Sequence, residues 1–277
     1  MDHVLSTHLF VNHRLTSALL GRIQQLGIAA VEIFCARQHL DYRDKAQVTE
    51  LGHWFRDSEL KLHSLHAPMY NDEIWGRSGP HAVVSITETV KAQRMQSVDE
   101  IKRALELAEV IPFKYLVQHM GVAREEFDMR KFDAAFTALE ELNLFARSRG
   151  VEILLENIPN DLATATRLLQ FQELTHVGLN YCFDTGHANM SAEGVEASFD
   201  LMKERIRSTH VHDNNGVDDV HLFPMLAEGG NIDWKKTMQL LRGRQDQFPL
   251  LLELKERPEF PHPLDCVKLI FERLEAA

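Results

Sequence analysis

Carboxylates and histidines at the ends of apolar runs are the residues of this sequence that could do chemistry. Glu156 and Glu253 each end a run of leucine, isoleucine or valine, and Asp184 follows another β-like run. A carboxylate buried in such a run is costly unless it is paired or bound to a cation. His210 and His212 lie two positions apart, so both should face the same side of a strand. Carboxylate with imidazole and no thiolate suits Zn, Mn, Fe, Co or Mg, and the pattern predicts a divalent metal site.

Other histidines and acids follow the same pattern along the chain. These further candidates are His63, His66, His119, Asn157, His187, Asp219 and His221. A single histidine at a strand end is more often a hydrogen-bonded structural group than a metal ligand. Here, however, six consecutive β-like runs each place a His, Asp or Glu at the same end. This coincidence indicates one convergent ring of ligands.

Several other kinds of site are not supported. The sequence contains no GxGxxG, P-loop, HExxH or GxSxG motif. Its cysteines, Cys35, Cys182 and Cys266, are odd in number and far apart, which argues against a disulfide framework and a thiolate zinc site. A reduced, cytoplasmic setting fits this cysteine usage best.

Eight short β-like runs alternate with eight longer amphipathic patterns. The predicted strands cover residues 4–10, 30–35, 60–66, 115–119, 151–156, 177–184, 206–212 and 250–254. The predicted helices cover about 15–26, 45–57, 87–110, 129–149, 161–173, 193–204, 234–244 and 262–275. Asp233 directly precedes Trp234 and is the expected cap of the seventh helix.

This alternation predicts a single (β/α)8 TIM barrel with parallel strands over residues 1–277, and a doubly wound open sheet is the competing layout. In such a barrel the functional residues lie at the carboxyl ends of the strands and in the loops that follow. One loop is long: residues 68–86, which include Trp75, follow the third strand. Loops of this length are often lids over a site.

The composition of the chain limits the classes of binding partner that we expect. The 277 residues include 41 Asp+Glu against 30 Lys+Arg, for a formal net charge of -11, and 15 histidines. This acid excess argues against binding of nucleic acid or of an anionic membrane. The amino-terminal segment lacks the pattern of a signal peptide, and no run approaches the roughly 18 apolar residues of a membrane span. We therefore expect a soluble cytoplasmic protein, while homo-oligomerisation is left open.

At these residues the sequence resembles the xylose isomerase-like TIM-barrel superfamily, which includes sugar isomerases and epimerases and the endonuclease IV type of AP endonuclease. The resemblance covers roughly residues 60 to 255. The matching pieces are His66-Ala67-Pro68, His119-Met120-Gly121, Leu155-Glu156-Asn157, Asp184-Thr185-Gly186-His187, His210-Val211-His212-Asp213-Asn214, Asp219-Val220-His221, the run from Gly229 to Trp234, and Glu253.

The resemblance implies two versions of the metal site. In the sugar enzymes, one divalent ion is held by residues that match Glu156, Asp184, His210 and Glu253, and the two glutamates act as the acid/base pair. In the nuclease branch, three zinc ions are held by nine residues. The five further matches here are His66, His119, His187, Asp219 and His221. One ion is thus the minimum, and up to three are chemically possible.

Departures from the nuclease pattern favour a sugar substrate. The nuclease branch has Leu-Asn-Asp after its strand-7 histidine, where this chain has Val211-His212-Asp213, as many sugar enzymes do. The first two loops of the expected active face are short and mixed in charge, without the basic surface that DNA requires. Well-known sugar 3-epimerases have an arginine where this chain has residues 214–216, so their particular substrate is not implied.

We therefore predict a divalent-metal-dependent isomerase or epimerase of a small sugar, sugar phosphate or related hydroxy-carbonyl compound. Glu156 and Glu253 would transfer the proton through an enediolate that the metal ion stabilises. His187 and His212 would orient hydroxyl groups, Trp75 would cover the sugar, and Lys255 would meet a phosphate. The alternatives are a dehydratase of a cyclic polyol ketone and a multi-zinc phosphoesterase like the AP endonucleases.

Overall fold

The computed structural model describes all residues from 1 to 277, and eight parallel strands form its centre. The strands are β1 (His3–Ser6), β2 (Ala30–Phe34), β3 (Lys61–His66), β4 (Tyr115–His119), β5 (Glu152–Glu156), β6 (Asn180–Asp184), β7 (Ile206–His210) and β8 (Leu250–Leu252). Their order in the sheet is β7-β6-β5-β4-β3-β2-β1-β8. The ring closes between β7 and β8, where the Val211 N–H donates to the Leu251 carbonyl at 2.8 Å and the Glu253 N–H donates to the Val211 carbonyl at 3.2 Å. The predicted (β/α)8 TIM barrel is confirmed.

Nine helices lie between the strands and after the last one. They are α1 (Ser17–Gln24), α2 (Lys45–Asp57), α3 (Lys91–Leu105), α4 (Met129–Arg147), α5 (Ala165–Thr175), α6 (Thr185–Met190), α7 (Gly194–Met202), α8 (Trp234–Arg242) and α9 (Pro263–Ala276). The short helix α6 was not among the eight predicted helices. It begins directly after β6, because the Asp184 carboxylate accepts the His187 N–H at 2.6 Å and caps the first turn. None of the helices combines the length and the apolar character that a membrane span needs.

Some predicted strands end earlier than their apolar pattern suggested. The first prediction continued to residue 10, but residues Thr7–Phe10 form a 3₁₀ turn. The turn forms because polar side chains replace ladder bonds: the Ser6 hydroxyl accepts the His8 N–H, and the Thr7 hydroxyl accepts the Phe34 N–H at 3.1 Å. The sixth prediction began three residues too early, and the seventh and eighth continued two residues too far.

The long loop after β3 is present and carries structure of its own. Residues Gly79–Ala82 form a 3₁₀ turn, and Tyr70 pairs with Val83 in an antiparallel bridge. The backbone N–H of Trp75 donates to the Gln38 side chain in the loop after β2. The loop is therefore tied to its neighbour at the carboxyl end of the barrel.

The barrel interior divides into an apolar floor and a polar upper end. Small clusters of buried apolar side chains fill the lower layers, and they comprise Val4, Ala30 and Leu251 in one cluster and Tyr115, Val117, Leu154 and Cys182 in another. Because side chains alternate along a strand, the next inward positions of β5 and β6 are Glu156 and Asp184. The carboxylates of Glu156 and Asp184 thus lie above these apolar layers, at the carboxyl end of the barrel.

Asp233, the expected cap of the seventh predicted helix, can be tested by mutation. The Asp233 carboxylate accepts the N–H of Lys236 at 3.1 Å, at the start of α8. Asp233→Ala should lower the free energy of unfolding by about 1 kcal/mol in urea denaturation. Glu272→Ala is the control, because Glu272 is exposed on α9 and makes no hydrogen bond. Equal stability of both variants would refute the capping role.

Candidate metal centre

Three groups of metal-type side chains meet at the carboxyl end of the barrel. Within each group, one ligand atom of every residue lies within 4.8 Å of the others. The first group is Glu156, Asp184, His210 and Glu253; the second is His66, His119 and Glu156; the third is His187, His212, Asp219 and His221. The structure therefore brings together all nine residues that the resemblance implied, and it adds His212.

Strand register explains how the ligands meet. In the parallel ladder, His119 of β4 lies beside Glu156 of β5, and Asp184 of β6 lies beside His210 of β7. Glu253 follows β8, and its N–H bonds to the residue after His210. Residues far apart in the sequence thus share one layer of the barrel.

The first group surrounds a single imidazole nitrogen. Nδ1 of His210 lies 3.1 Å from a Glu156 oxygen, 3.5 Å from a Glu253 oxygen and 3.9 Å from an Asp184 oxygen. All four side chains are buried. The three carboxylates form ion pairs only with imidazoles, and no lysine or arginine pairs with them.

Glu156 links the first group to the second. Its Oε1 faces His210, while its Oε2 lies 3.1 Å from Nε2 of His119 and 3.6 Å from Nε2 of His66. The two Nε2 atoms of His66 and His119 are 3.2 Å apart. One carboxylate thus presents an oxygen to each group, as a bridging ligand does.

The third group is built around Asp219. One of its carboxylate oxygens lies 3.3 Å from Nε2 of His187, and the other lies 3.2 Å from Nε2 of His221. Nε2 of His212 lies 3.1 Å from Asp184 and 3.8 Å from Asp219. The rings of His212 and His221 are stacked with centroids 3.9 Å apart.

Backbone carbonyls fix the orientation of three of these imidazoles. Nδ1 of His66, His187 and His221 lies 2.9 to 3.0 Å from the carbonyl oxygens of residues 67, 157 and 253. A carbonyl only accepts, so each Nδ1 carries the hydrogen and each neutral ring aims its Nε2 lone pair at the group. Nε2 of His187 and His221 then faces a carboxylate, which is also an acceptor. Two acceptors at this distance need a proton or a metal ion between them, and the donor set therefore fits metal binding.

The pKa values of these groups show the same need for positive charge. Burial tends to lower the pKa of His187, but the carboxylates of Asp184 and Asp219 outweigh it and raise that pKa well above its usual value. Burial also opposes protonation of His221, yet Asp219 raises its pKa to about 9. Burial would raise the pKa of Glu156, but the imidazoles of His210 and His119 hold it well below the usual range. Protons on these imidazoles thus balance the carboxylates, and bound cations would replace them.

The remaining predicted residues lie around this centre. His212 is fully buried. Trp75 packs edge-on against Phe34, with ring centroids 5.3 Å apart, and its Nε1 is buried without a hydrogen-bond partner. Lys255 touches the centre through its backbone, whose N–H donates to the His221 carbonyl, while its side chain is exposed.

His63 does not join the centre. The register between β2 and β3 skips this residue, since Val31 pairs with Leu62 and Glu32 pairs with Ser64. The imidazole of His63 consequently lies lower in the barrel, 3.2 Å from the Ser208 hydroxyl.

Sequence reasoning missed two residues that support the centre. Glu32 of β2 is fully buried and contacts His210. The sequence feature that could have identified Glu32 is a charged residue inside an apolar run. Asp213, although quoted in a motif, was given no role; its carboxylate accepts the Trp234 Nε1–H at 2.6 Å and the Asn214 N–H at 2.8 Å. It thereby ties the loop after β7, which carries Asp219 and His221, to the start of α8.

Gly186 gives a steric test of the third group. A Cβ at this position would lie 2.0 Å from the His212 ring, so Gly186→Ala must displace that imidazole. We expect the unfolding free energy to fall by about 1–3 kcal/mol in urea denaturation, even though alanine favours helices. Gly178→Ala is the matched control, because its Cβ would meet nothing within 4 Å. Unchanged stability of Gly186→Ala would contradict the packing described for His212.

Comparisons with known proteins show the family to which this fold belongs. A model of the family described as xylose isomerase-like TIM barrel matches residues 20–270. An uncharacterized protein of Methanocaldococcus jannaschii, MJ1311, is 30% identical over 252 residues, which are 87% of this chain and 80% of that protein. Among solved structures, a D-tagatose 3-epimerase-like protein has a TM-score of 0.75 and 23% identity, covering 100% of this chain and 97% of that chain. The IolI protein, solved with a bound zinc atom, has a TM-score of 0.74 and 16% identity, covering 99% of this chain and 98% of that chain. This chain belongs to the xylose isomerase-like TIM-barrel family.

Proposed function

We propose that this protein is a divalent-metal-dependent isomerase or epimerase of a small sugar, sugar phosphate or related hydroxy-carbonyl compound. The observation that carries the proposal is the convergence of two buried glutamates on one imidazole nitrogen. Glu156, at the end of β5, and Glu253, directly after β8, lie 3.1 and 3.5 Å from Nδ1 of His210. Membership of a family with epimerase-like structural neighbours supports the same reaction class.

The first group is the proposed minimum metal site, with Glu156, Asp184, His210 and Glu253 as ligands. Three carboxylates and one imidazole suit Zn, Mn, Co, Fe or Mg. When bound, such an ion supplies a Lewis acid that stabilises negative charge on the carbonyl oxygen of a substrate. The second group has three ligand-type side chains and the third has four, so each could hold one further ion.

Proton transfer is the task we assign to the two glutamates. One of Glu156 and Glu253 accepts the proton from the carbon next to the carbonyl. The other donates a proton to the opposite face of that carbon in an epimerase, or to the adjacent carbon in an isomerase. Their positions on β5 and beyond β8 allow them to approach a substrate from different sides.

A cavity beside two residues of the second group supports a small substrate. It has a volume of about 430 Å³, lies beneath the long loop and is lined by His66 and His119 with Tyr70 and Val84, but not by Glu156 or Glu253. This volume is typical of small-molecule sites. A larger cavity of about 750 Å³ lies at the opposite end of the barrel, but no residue of the three groups lines it.

Four further residues have proposed roles around the substrate. We assign His187 to orienting a hydroxyl group, and Trp75 to covering the sugar from the long loop. The exposed ammonium of Lys255 is available for a substrate phosphate. His212 was predicted to orient a hydroxyl as well, but its complete burial favours a role as a ligand or support of the third group.

Two other reactions are alternatives at the same centre. A dehydratase shares the first half-reaction, after which a β-hydroxyl group leaves as water. A multi-zinc phosphoesterase is favoured by one observation, the presence of all three ligand groups. Near three equivalents of bound zinc together with nicking of abasic DNA would move the assignment to this hydrolase class.

Solvent exchange tests the proposal directly. With a divalent metal present, the wild-type protein should incorporate deuterium from D2O next to the carbonyl of at least one ketose in a panel. Glu156→Gln and Glu253→Gln should each slow this exchange and turnover by about 10²-fold or more, because each removes an acid/base group. NMR and mass spectrometry provide the measurement.

Glu256→Gln is the matched control for these variants. Glu256 lies three residues beyond Glu253, is exposed and pairs only with His13. Its variant should exchange at the wild-type rate. Absence of exchange across the whole panel, with metal bound, would contradict the proposed function.

A further inference from the structure

We infer that Glu32, a buried carboxylate of β2, is a positioning residue that orients His210 and strengthens its binding of a metal ion. This inference rests on the metal site within the proposed function and is independent of the reaction carried out there. Glu32 was not among the residues suggested by the family resemblance, and it belongs to none of the three ligand groups.

The two ring nitrogens of His210 face different partners. Nδ1 faces the first group, with Glu156 at 3.1 Å. Nε2 faces away from that group and lies 3.1 and 3.2 Å from the two carboxylate oxygens of Glu32. Because a carboxylate only accepts, Nε2 carries the hydrogen, and the neutral ring then presents the Nδ1 lone pair to the first group.

His210 therefore differs from His66, His187 and His221. Those three rings have Nδ1 on a neutral backbone carbonyl, with Nδ1 of His187 also 3.2 Å from a Glu156 oxygen, and each presents Nε2 to the centre. His210 has the reverse orientation, and its outer partner is a carboxylate. An anionic acceptor increases the basicity of a ligating imidazole more than a neutral carbonyl does. His210 is thus equipped to be a stronger donor than an imidazole whose outer nitrogen bonds to a carbonyl alone, such as His66 or His221.

Glu32 has no charged partner other than His210. The Ser64 hydroxyl donates to Oε2 at 2.8 Å, and the only ion pair of this carboxylate is with His210. Its neighbours in the strand, Val31 and Ile33, are apolar and buried. A buried ionic group often contributes little net stability compared with an apolar side chain of similar size. Its contact with His210 accounts for a charge at this position, whereas folding does not require one.

Metal affinity is the property that tests this role. Zinc binding to the metal-free protein can be measured by competition with a chromophoric chelator. Glu32→Gln should weaken zinc binding about 10- to 100-fold, the effect typical of losing an outer-shell partner. The visible spectrum of the Co²⁺ form should change as well, because the donor strength of His210 changes.

Glu100→Gln is the matched control. Glu100 is also a buried carboxylate, but it pairs with Arg43 and Arg103 away from the three groups. Its variant should bind zinc with wild-type affinity, whatever it does to stability. A folded Glu32→Gln protein that binds zinc as tightly as the wild type would overturn the inference.

A measurement on the unmodified protein keeps the inference testable if Glu32→Gln fails to fold. NMR of the zinc-loaded protein with ¹⁵N-labelled histidine should show His210 protonated at Nε2 and metal-bound at Nδ1. Protonation of His210 at Nδ1 would refute the proposed orientation. Weaker zinc binding by Glu32→Gln without any isomerase activity in the wild type would support this role and reject only the reaction.

Discussion

Negative charge buried without lysine or arginine is the constraint on which this centre depends. Glu32, Glu156, Asp184 and Glu253 are all buried, and their ion pairs are with imidazoles alone. Buried carboxylates are stable only when positive charge compensates them. Imidazoles supply that charge either by taking up protons or by sharing a metal ion with the carboxylates, and their fixed ring orientations suit the second arrangement.

The rest of the barrel keeps these groups in contact. Parallel register sets His119 beside Glu156 and Asp184 beside His210, above small clusters of buried apolar side chains in the lower layers. Individual residues then determine the position of the third group. Gly186 has no side chain, which leaves space for His212, and Asp213 ties down the loop that carries the third group. A rigid scaffold of this kind is what preorganised chemistry requires.

Much of this arrangement could be predicted from the sequence, because strand periodicity and strand-end position both leave clear patterns. The barrel, the number of strands and the approximate position of every strand followed from the alternation of elements. The same patterns suggested Glu156 and Glu253 as paired buried carboxylates. The bounds of β1 could not be read in this way, because the hydroxyls of Ser6 and Thr7 replace ladder bonds there.

Features that depend on three-dimensional contacts were also beyond the sequence. The direction of His63 depends on a one-residue shift in register between β2 and β3. The role of Glu32 depends on which nitrogen of His210 faces outward, and no sequence pattern encodes that choice. The burial of His212 follows from its packing against Gly186 and His221. In each case contacts with other elements of the fold decide where the side chain lies.

Anomalous X-ray scattering from crystals soaked in a zinc salt would show whether the first group binds a metal ion. Data collected above and below the zinc absorption edge would locate each ion and identify its ligands together. We expect a peak enclosed by Glu156, Asp184, Glu253 and Nδ1 of His210. A zinc-soaked crystal without a peak in this group would contradict it.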